Sequence, residues 1–186
     1  MSEQELIEGC CRGNRKVQQA LYDRYCGKMY VVCLRYANGK QEAEDILQEA
    51  FIKVFDHIKN FRKESMLGTW IRRIVINTAL NHKRNKLYLY PMVDIDHMHN
   101  AAGEEFIISN YHFQDLIKLV QSLPEGCRVI FNLFAIEGFP HKEIAQMIGI
   151  SEGTSKSQYA RARLLLQRKL VAIDSNRFEP GVKKIK

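Results

Sequence analysis

Over nearly the whole of residues 3–84, apolar side chains recur at three- and four-residue spacing, the period of helices that turn one face to a core. Leu6, Ile7 and Cys10 mark a short first helix, and Val17, Ala20, Leu21, Tyr25, Met29, Val32 and Cys33 a longer second one. Asn38-Gly39 is a turn signal. Beyond it, the run EAEDILQEAFIKVFDHI sets Ile46, Ala50, Val54 and Ile58 on one stripe, widened by Phe51 and Phe55. The segment KNFRKESMLG reads as a loop. A further helix is predicted from Trp70 to Arg84, with Trp70, Ile71, Ile74, Val75, Thr78 and Leu80 inward and Arg72, Arg73, Asn77, Asn81, Lys83 and Arg84 exposed.

Periodicity fades between Tyr88 and Tyr111, where PMVDIDHMHNAAGEEF carries proline, glycine and acids, and this stretch is predicted to be a linker. Helical spacing returns at Phe113, Leu116, Ile117 and Val120, breaks at Pro124 and Gly126, and resumes through CRVIFNLFAIEGF. From His141 the sequence takes the form of a helix-turn-helix. Ile144, Ala145 and Ile148 share a face, Gly149 stops the first helix, Ile150 returns to the core and Ser151 offers an N-cap oxygen, which makes a turn of about four residues. In the second helix Ser155, Tyr159, Ala162 and Leu166 fall on one side. That leaves Lys156, Ser157, Gln158, Arg161 and Arg163 as outward or sideways donors for phosphates and base edges. The fold class is therefore all-α: two small helical domains joined by a flexible acidic linker, the second containing the helix-turn-helix.

Charge changes this picture from a helical scaffold to a binder of polyanions. Residues 59–90 hold eight Lys and Arg against one acid and residues 138–186 ten against four, whereas residues 91–137 hold two against seven. Two basic blocks separated by an acidic one fit two contacts with nucleic acid better than a merely solubilising charge. No apolar run approaches a membrane span and the N-terminus has no signal-peptide core, so the protein is expected to be cytoplasmic. Its five cysteines, Cys10, Cys11, Cys26, Cys33 and Cys127, are odd in number and lack paired C-x-x-C spacing, which argues against disulfides and zinc. Cys10 and Cys11 read as small hydrophobes at a helix. Asp94, Asp96, His97 and His99 are better explained as polar linker than as a metal site, and neither metal nor cofactor is expected. No phosphate loop, nucleophile elbow or catalytic dyad points to an enzyme.

The run Asp45-Ile46-Leu47-Gln48-Glu49-Ala50-Phe51, followed by a loop and Trp70-Ile71-Arg72-Arg73-Ile74 with Asn77, resembles region 2 of the extracytoplasmic-function (ECF) sigma factors, and the helix-turn-helix resembles their region 4. The resemblance implies region 2 at residues 1–88, a linker at 89–111, region 4 at 112–173 and a tail at 174–186. It implies that Asp45, Gln48 and Glu49 touch the clamp helices of the largest RNA polymerase subunit, where carboxylates suit a basic partner. It further implies that Phe61, Arg62, Lys63, Met66, Arg73, Asn77, Asn81 and Arg84 engage −10 DNA. Phe61, Met66 and Asn77 would surround an extruded base, and Trp70 is assigned to packing. In region 4, Thr154, Lys156, Ser157, Gln158 and Arg161 would meet the −35 element, with Gln158 at a base edge and Lys156 at a phosphate. The chain departs from the common G-T-V-K-S-R pattern at Ser155 and Gln158, and a glutamine there favours adenine where arginine favours guanine.

About 25 linker residues extend to roughly 80 Å, enough for both domains to reach across two duplex turns. The implied partners are core RNA polymerase, through its clamp helices and flap region, promoter DNA, and a membrane-bound anti-sigma factor. A conventional helix-turn-helix regulator binding its operator unaided is the nearest alternative, but neither end carries a dimerisation heptad. A helical adaptor for protein partners alone leaves the two basic blocks unexplained.

Overall fold

The computed structural model describes the backbone of residues 1–87 and 113–177 and the side chains of residues 1–83 and 113–173. The expected linker with Asp94, Asp96, His97 and His99, the side chain of Arg84, and the end of the tail lie outside the described residues. The chain divides into two units, Met1–Tyr90 and Pro91–Lys186, and no strand occurs among the described residues.

In the first unit, side-chain caps fix the helix starts. Ser2 opens α1 (Glu3–Cys11) with a reciprocal capping box: its hydroxyl accepts from the Glu5 N–H, and the Glu5 carboxylate accepts from the Ser2 N–H at 2.5 Å. Asn14 opens α2 (Arg15–Tyr36) by accepting from the N–H groups of Lys16 and Val17. The amphipathic run becomes α3 (Lys40–His57), which buries Ala43, Ile46, Leu47, Ala50, Phe51 and Val54 between α2 and α4 (Leu67–Leu87). Each fully buried aliphatic or phenyl side chain there contributes about 1.5–3 kcal/mol.

The start of α4 was not foreseeable locally. It begins three residues before Trp70, where the Glu3 carboxylate of α1 accepts from the Leu67 N–H at 3.2 Å, a cap supplied from the far end of the unit. Lys83, expected at the surface, is instead fully buried, and its ammonium meets the Glu42 carboxylate at 2.5 Å. That carboxylate also accepts from the Asn38 N–H at 2.6 Å, so one acid ties the turn before α3 to the end of α4. Arg72 and Ile74 are half-buried rather than fully outward and fully inward.

Gly9 is where α1 crosses α2. A Cβ at this position would lie 2.6 Å from Val17 Cγ1, closer than packed carbons approach. Gly9→Ala is therefore expected to lower the unit's stability by about 1–3 kcal/mol, and Val17→Ala in the same chain to recover part of it. Urea unfolding of the two variants measures this.

The second unit contains α5 (Phe113–Gln121), α6 (Glu125–Phe131), α7 (His141–Ile148) and α8 (Glu152–Arg177). Its buried residues include Ile117, Leu119, Leu123, Cys127, Val129, Ile130, Leu133, Ile144, Ala145 and Ala162. The apolar run after Pro124 does not continue as one α-helix, because residues Asn132–Ile136 widen into a π-helical turn closed by Glu137 N–H on the Asn132 carbonyl at 2.9 Å. Gly138 then reverses the chain at φ 80°. Arg128, buried beneath α5, donates to the Gln121 carbonyl at 3.0 Å and holds the end of that helix.

The helix-turn-helix has the expected punctuation with a shorter turn. Gly149 takes φ 73° in the left-handed region, which glycine enters without the Cβ penalty, and three residues rather than four join α7 to α8. The Ser151 hydroxyl accepts from the Thr154 N–H at 2.9 Å, and Ile150 is half-buried.

Candidate nucleic-acid interface

Helix α8 is divided lengthwise by burial. Ser155 and Ala162 are fully buried and Tyr159 and Leu166 half-buried, whereas Lys156, Ala160 and Arg163, at spacings of four and three, are exposed on another face. Arg161 and Ser157 lie half-buried at the flank. Lys156 is held by an ion pair to Glu152 one turn earlier at 2.7 Å, which lowers the carboxyl pKa of Glu152 through the hydrogen bond and the charge of that lysine. Any phosphate that met this ammonium would have to compete with Glu152. The Ser157 hydroxyl donates to the Thr154 carbonyl at 3.0 Å, and the Thr154 and Ser151 hydroxyls are 2.8 Å apart. The Thr154 N–H is engaged by the Ser151 cap.

Gln158, expected to face outward or sideways, takes the sideways course. It is half-buried, and its Oε1 accepts from the Cys127 thiol of α6 at 3.0 Å.

An aromatic cluster that periodicity did not reveal braces the motif. His141, at the first position of α7, stacks on Phe134 with ring centroids 4.1 Å apart and planes 9° apart. Tyr159 packs against Phe134 at 4.6 Å and against His141 at 5.8 Å, and the His141 Nδ1 lies 2.9 Å from the Ser155 hydroxyl. The π-helical turn carries Phe134, and α8 carries Tyr159 and Ser155, so the first helix of the motif is fastened to both neighbours. No local spacing links His141 to residues 134, 155 and 159.

Burial lowers the His141 pKa from its ordinary 6.5, and the nearby Lys156 charge lowers it further while Glu152 opposes. A folded pKa below the unfolded one means that acid favours the unfolded chain. Stability is full above about pH 6.5 and declines as pH falls from there through the lowered folded pKa. The melting temperature of the second unit is expected to drop between pH 7.5 and 5.5, and to drop less in His141→Gln. Equal slopes in the two proteins would exclude this histidine as the source.

In the first unit, Arg73, Asn77 and Asn81 lie at four-residue spacing on the exposed face of α4, leading away from Trp70. The Trp70 ring packs against Phe61, centroids 5.2 Å apart, and both residues are half-buried. Met66 is 75% exposed at the end of the same loop. Arg62 reaches Glu64 only at 4.0 Å, and both side chains are strongly exposed. Lys63 stands in the left-handed region at φ 59°, and its Nζ donates to Gln4 of α1 at 2.5 Å. Together with the Glu3 cap, this makes α1 the brace of the loop. The spans of 59 and 64 residues hid both contacts from the sequence.

On α3, Asp45, Gln48, Glu49 and Ile52 occupy one outward face. Asp45 and Gln48 are exposed, as is Ile52 at 56%, beside an open groove lined by Tyr22, Leu47, Phe51 and Phe55. Glu49 is already engaged: Lys53 lies at 2.6 Å and His82 of α4 is a close partner. Those two hydrogen bonds hold its carboxyl below the usual range. The sequence reading missed Ile52, whose apolar character fitted the buried stripe but whose position places it opposite.

The cysteines are free thiols, and burial raises the pKa of Cys10 and Cys127 and pushes Cys33 up to about 12. These three buried cysteines stay protonated at neutral pH and pack in the core. No helix among the described residues is long and apolar enough to cross a membrane.

The Sigma-70 region 2 family matches residues 21–87, and the Sigma-70, region 4 family matches residues 113–166. The chain is 30% identical to the RNA polymerase sigma-H factor of Pseudomonas aeruginosa, over 90% of this chain and 93% of that protein. It is 28% identical to the ECF RNA polymerase sigma-E factor of Haemophilus influenzae, over 91% of this chain and 96% of that protein. Among solved structures, the sigma factor RpoE of Bartonella quintana, in co-crystal with the anti-sigma factor NepR, shares the fold with a TM-score of 0.53. Its sequence is 22% identical, and the match covers 82% of this chain and 96% of that one. Two helical units carrying basic, exposed helix faces, matched to regions 2 and 4 in that order, place this chain in the ECF sigma factors, non-enzymatic initiation factors that bind core RNA polymerase and direct it to promoters.

Proposed function

We propose how the work of initiation is divided over the residues. Region 2 occupies residues 1–88 and region 4 residues 112–173, with a linker at 89–111 and a tail at 174–186. Asp45, Gln48 and Glu49 dock α3 on the polymerase clamp helices, and the exposed Ile52 adds an apolar anchor among them. The loop presents Phe61, Arg62, Lys63 and Met66 to the −10 element, the exposed face of α4 adds Arg73, Asn77 and Asn81, and Arg84 completes the set that the family resemblance implies. Phe61 and Met66 offer apolar surface to an unstacked base and Asn77 a polar rim. Thr154, Lys156, Ser157, Gln158 and Arg161 form the −35 segment of α8, and the same unit meets the polymerase flap. The protein acts in the cytoplasm, and an anti-sigma factor held at the membrane is among its partners; that an anti-sigma factor is a partner at all is supported by the NepR complex of the RpoE relative in fold.

The observation that carries this division is the pairing of one exposed polar face on α4 with another on α8, each in a separate unit and each on a helix whose opposite face is core. Run-off transcription with sigma-free core polymerase on a genomic library tests it. Discrete new start sites are expected, each preceded by common −35 and −10 sequences. Substitutions on α4 should then act on −10 variants and those on α8 on −35 variants. The same loss on both elements from either helix would overturn the assignment.

A further inference from the structure

We infer that Gln158 is a positioning residue of the recognition helix and not a reader of a base, an inference that rests on α8 meeting the −35 element. A glutamine distinguishes adenine by using both ends of its amide: Oε1 accepts from the adenine N6 amino group while Nε2 donates to N7. In this protein Oε1 is already committed, accepting from the Cys127 thiol at 3.0 Å. Cys127 is 1% exposed and belongs to the core cluster with Leu123 and Ala162, against which Phe131, Leu165 and Leu166 pack. The amide therefore lies at the edge of the seam between α6 and α8, next to the one position of α6 without a side chain. A Cβ at Gly126 would stand 3.9 Å from the same Oε1.

Helical spacing leads to the same conclusion. Ala162, one turn after Gln158, is fully buried against Cys127, so residue 158 belongs to the seam side of the helix. The face turned from the core at this level carries Lys156, Ala160 and Arg163. To reach a base, Gln158 would have to leave the seam, abandon its donor and leave the Cys127 thiol unpaired in an apolar cluster. Held where it is, the amide fixes the rotation of α8 about its own axis, which sets how Lys156, Ser157 and Arg161 meet the duplex. Its contribution is to every −35 sequence alike.

The test is −35-dependent initiation by the full chain with core polymerase on promoters carrying every single substitution in the −35 element. Gln158→Met keeps the length of the side chain and removes the amide. It is expected to reduce initiation about two- to tenfold on all −35 sequences, the loss of one part-buried hydrogen bond, without changing their order. Cys127→Ala should reproduce the uniform loss, Cys127→Ser, which keeps a donor, should restore most of it, and Gln158→Met with Cys127→Ala together should lose no more than either alone. The side-chain amide resonances of Gln158 in the free protein should shift in Cys127→Ala and stay near their wild-type positions in Cys127→Ser.

A Gln158→Met protein that loses discrimination at one base pair and keeps it elsewhere would overturn the inference and leave the −35 reading standing. So would additive losses from the two single substitutions, or amide resonances indifferent to Cys127. A wild-type protein that initiates equally on every −35 variant would remove the −35 reading itself, and this inference with it.

Discussion

Asp45→Lys combined with Gln48→Lys is expected to weaken binding to core polymerase by about 100-fold or more, because placing like charges against a basic partner helix costs several kcal/mol. Both side chains are exposed on α3, opposite the buried stripe of Ile46, Ala50 and Val54. The substitutions should therefore leave helicity and melting temperature close to wild type. Glu49 is the wrong place for this experiment, even though it shares the face. Its carboxylate already holds Lys53 and His82, so reversing its charge would disturb the α3–α4 contact as well as the docking surface. Fluorescence-detected binding of labelled protein to core enzyme gives the answer. Unchanged affinity in a folded Asp45→Lys, Gln48→Lys protein would remove α3 from the interface.

Glu42→Ala is expected to produce the largest loss of stability of any surface-accessible substitution in the first unit, about 3–5 kcal/mol. The Lys83 side chain has no exposed surface, whereas that of Glu42 is 26% exposed, and the two meet at 2.5 Å. Removing the acid takes away the carboxylate that meets a buried ammonium at 2.5 Å and an acceptor of the Asn38 N–H. The doubly substituted Glu42→Leu, Lys83→Met protein should recover much of the loss, since an apolar pair of similar volume often matches a buried ion pair. Urea unfolding of the single and double variants separates the two contributions. A Glu42→Ala protein within about 0.5 kcal/mol of wild type, the usual range for surface changes, would show that the buried lysine does not depend on this partner.

Each of the two expectations uses a residue whose role the sequence and the structure share unequally. Asp45 and Gln48 could be placed from the helical period alone, because exposure on an amphipathic helix follows from angle. Lys83 was misplaced by its charge and not by its angle: it follows the buried Ile76, Ala79 and Leu80 at seven, four and three residues, and only α3 supplies the Glu42 that lets an ammonium sit there. Ile52, to which the sequence analysis gave no role, is the opposite case: an apolar residue that its helical angle leaves outside the buried stripe.

Local chemistry was therefore legible wherever its partners were near in sequence. The sequence by itself determined the all-α class, the two helical units, the glycine stop at Gly149, the cap at Ser151, the amphipathic face of α3 and the resemblance to regions 2 and 4, since caps, turns and periodicity act within a few residues. Tertiary structure decided the cap that Glu3 gives α4, the hold of Gln4 on Lys63, the burial of Lys83 and the stacking of His141 on Phe134. It also set the Gln158 amide against the thiol of Cys127. The physical reason is the same in each case. A side chain's helical angle limits where it can point, but which groups it meets there depends on a second helix whose approach no local pattern encodes.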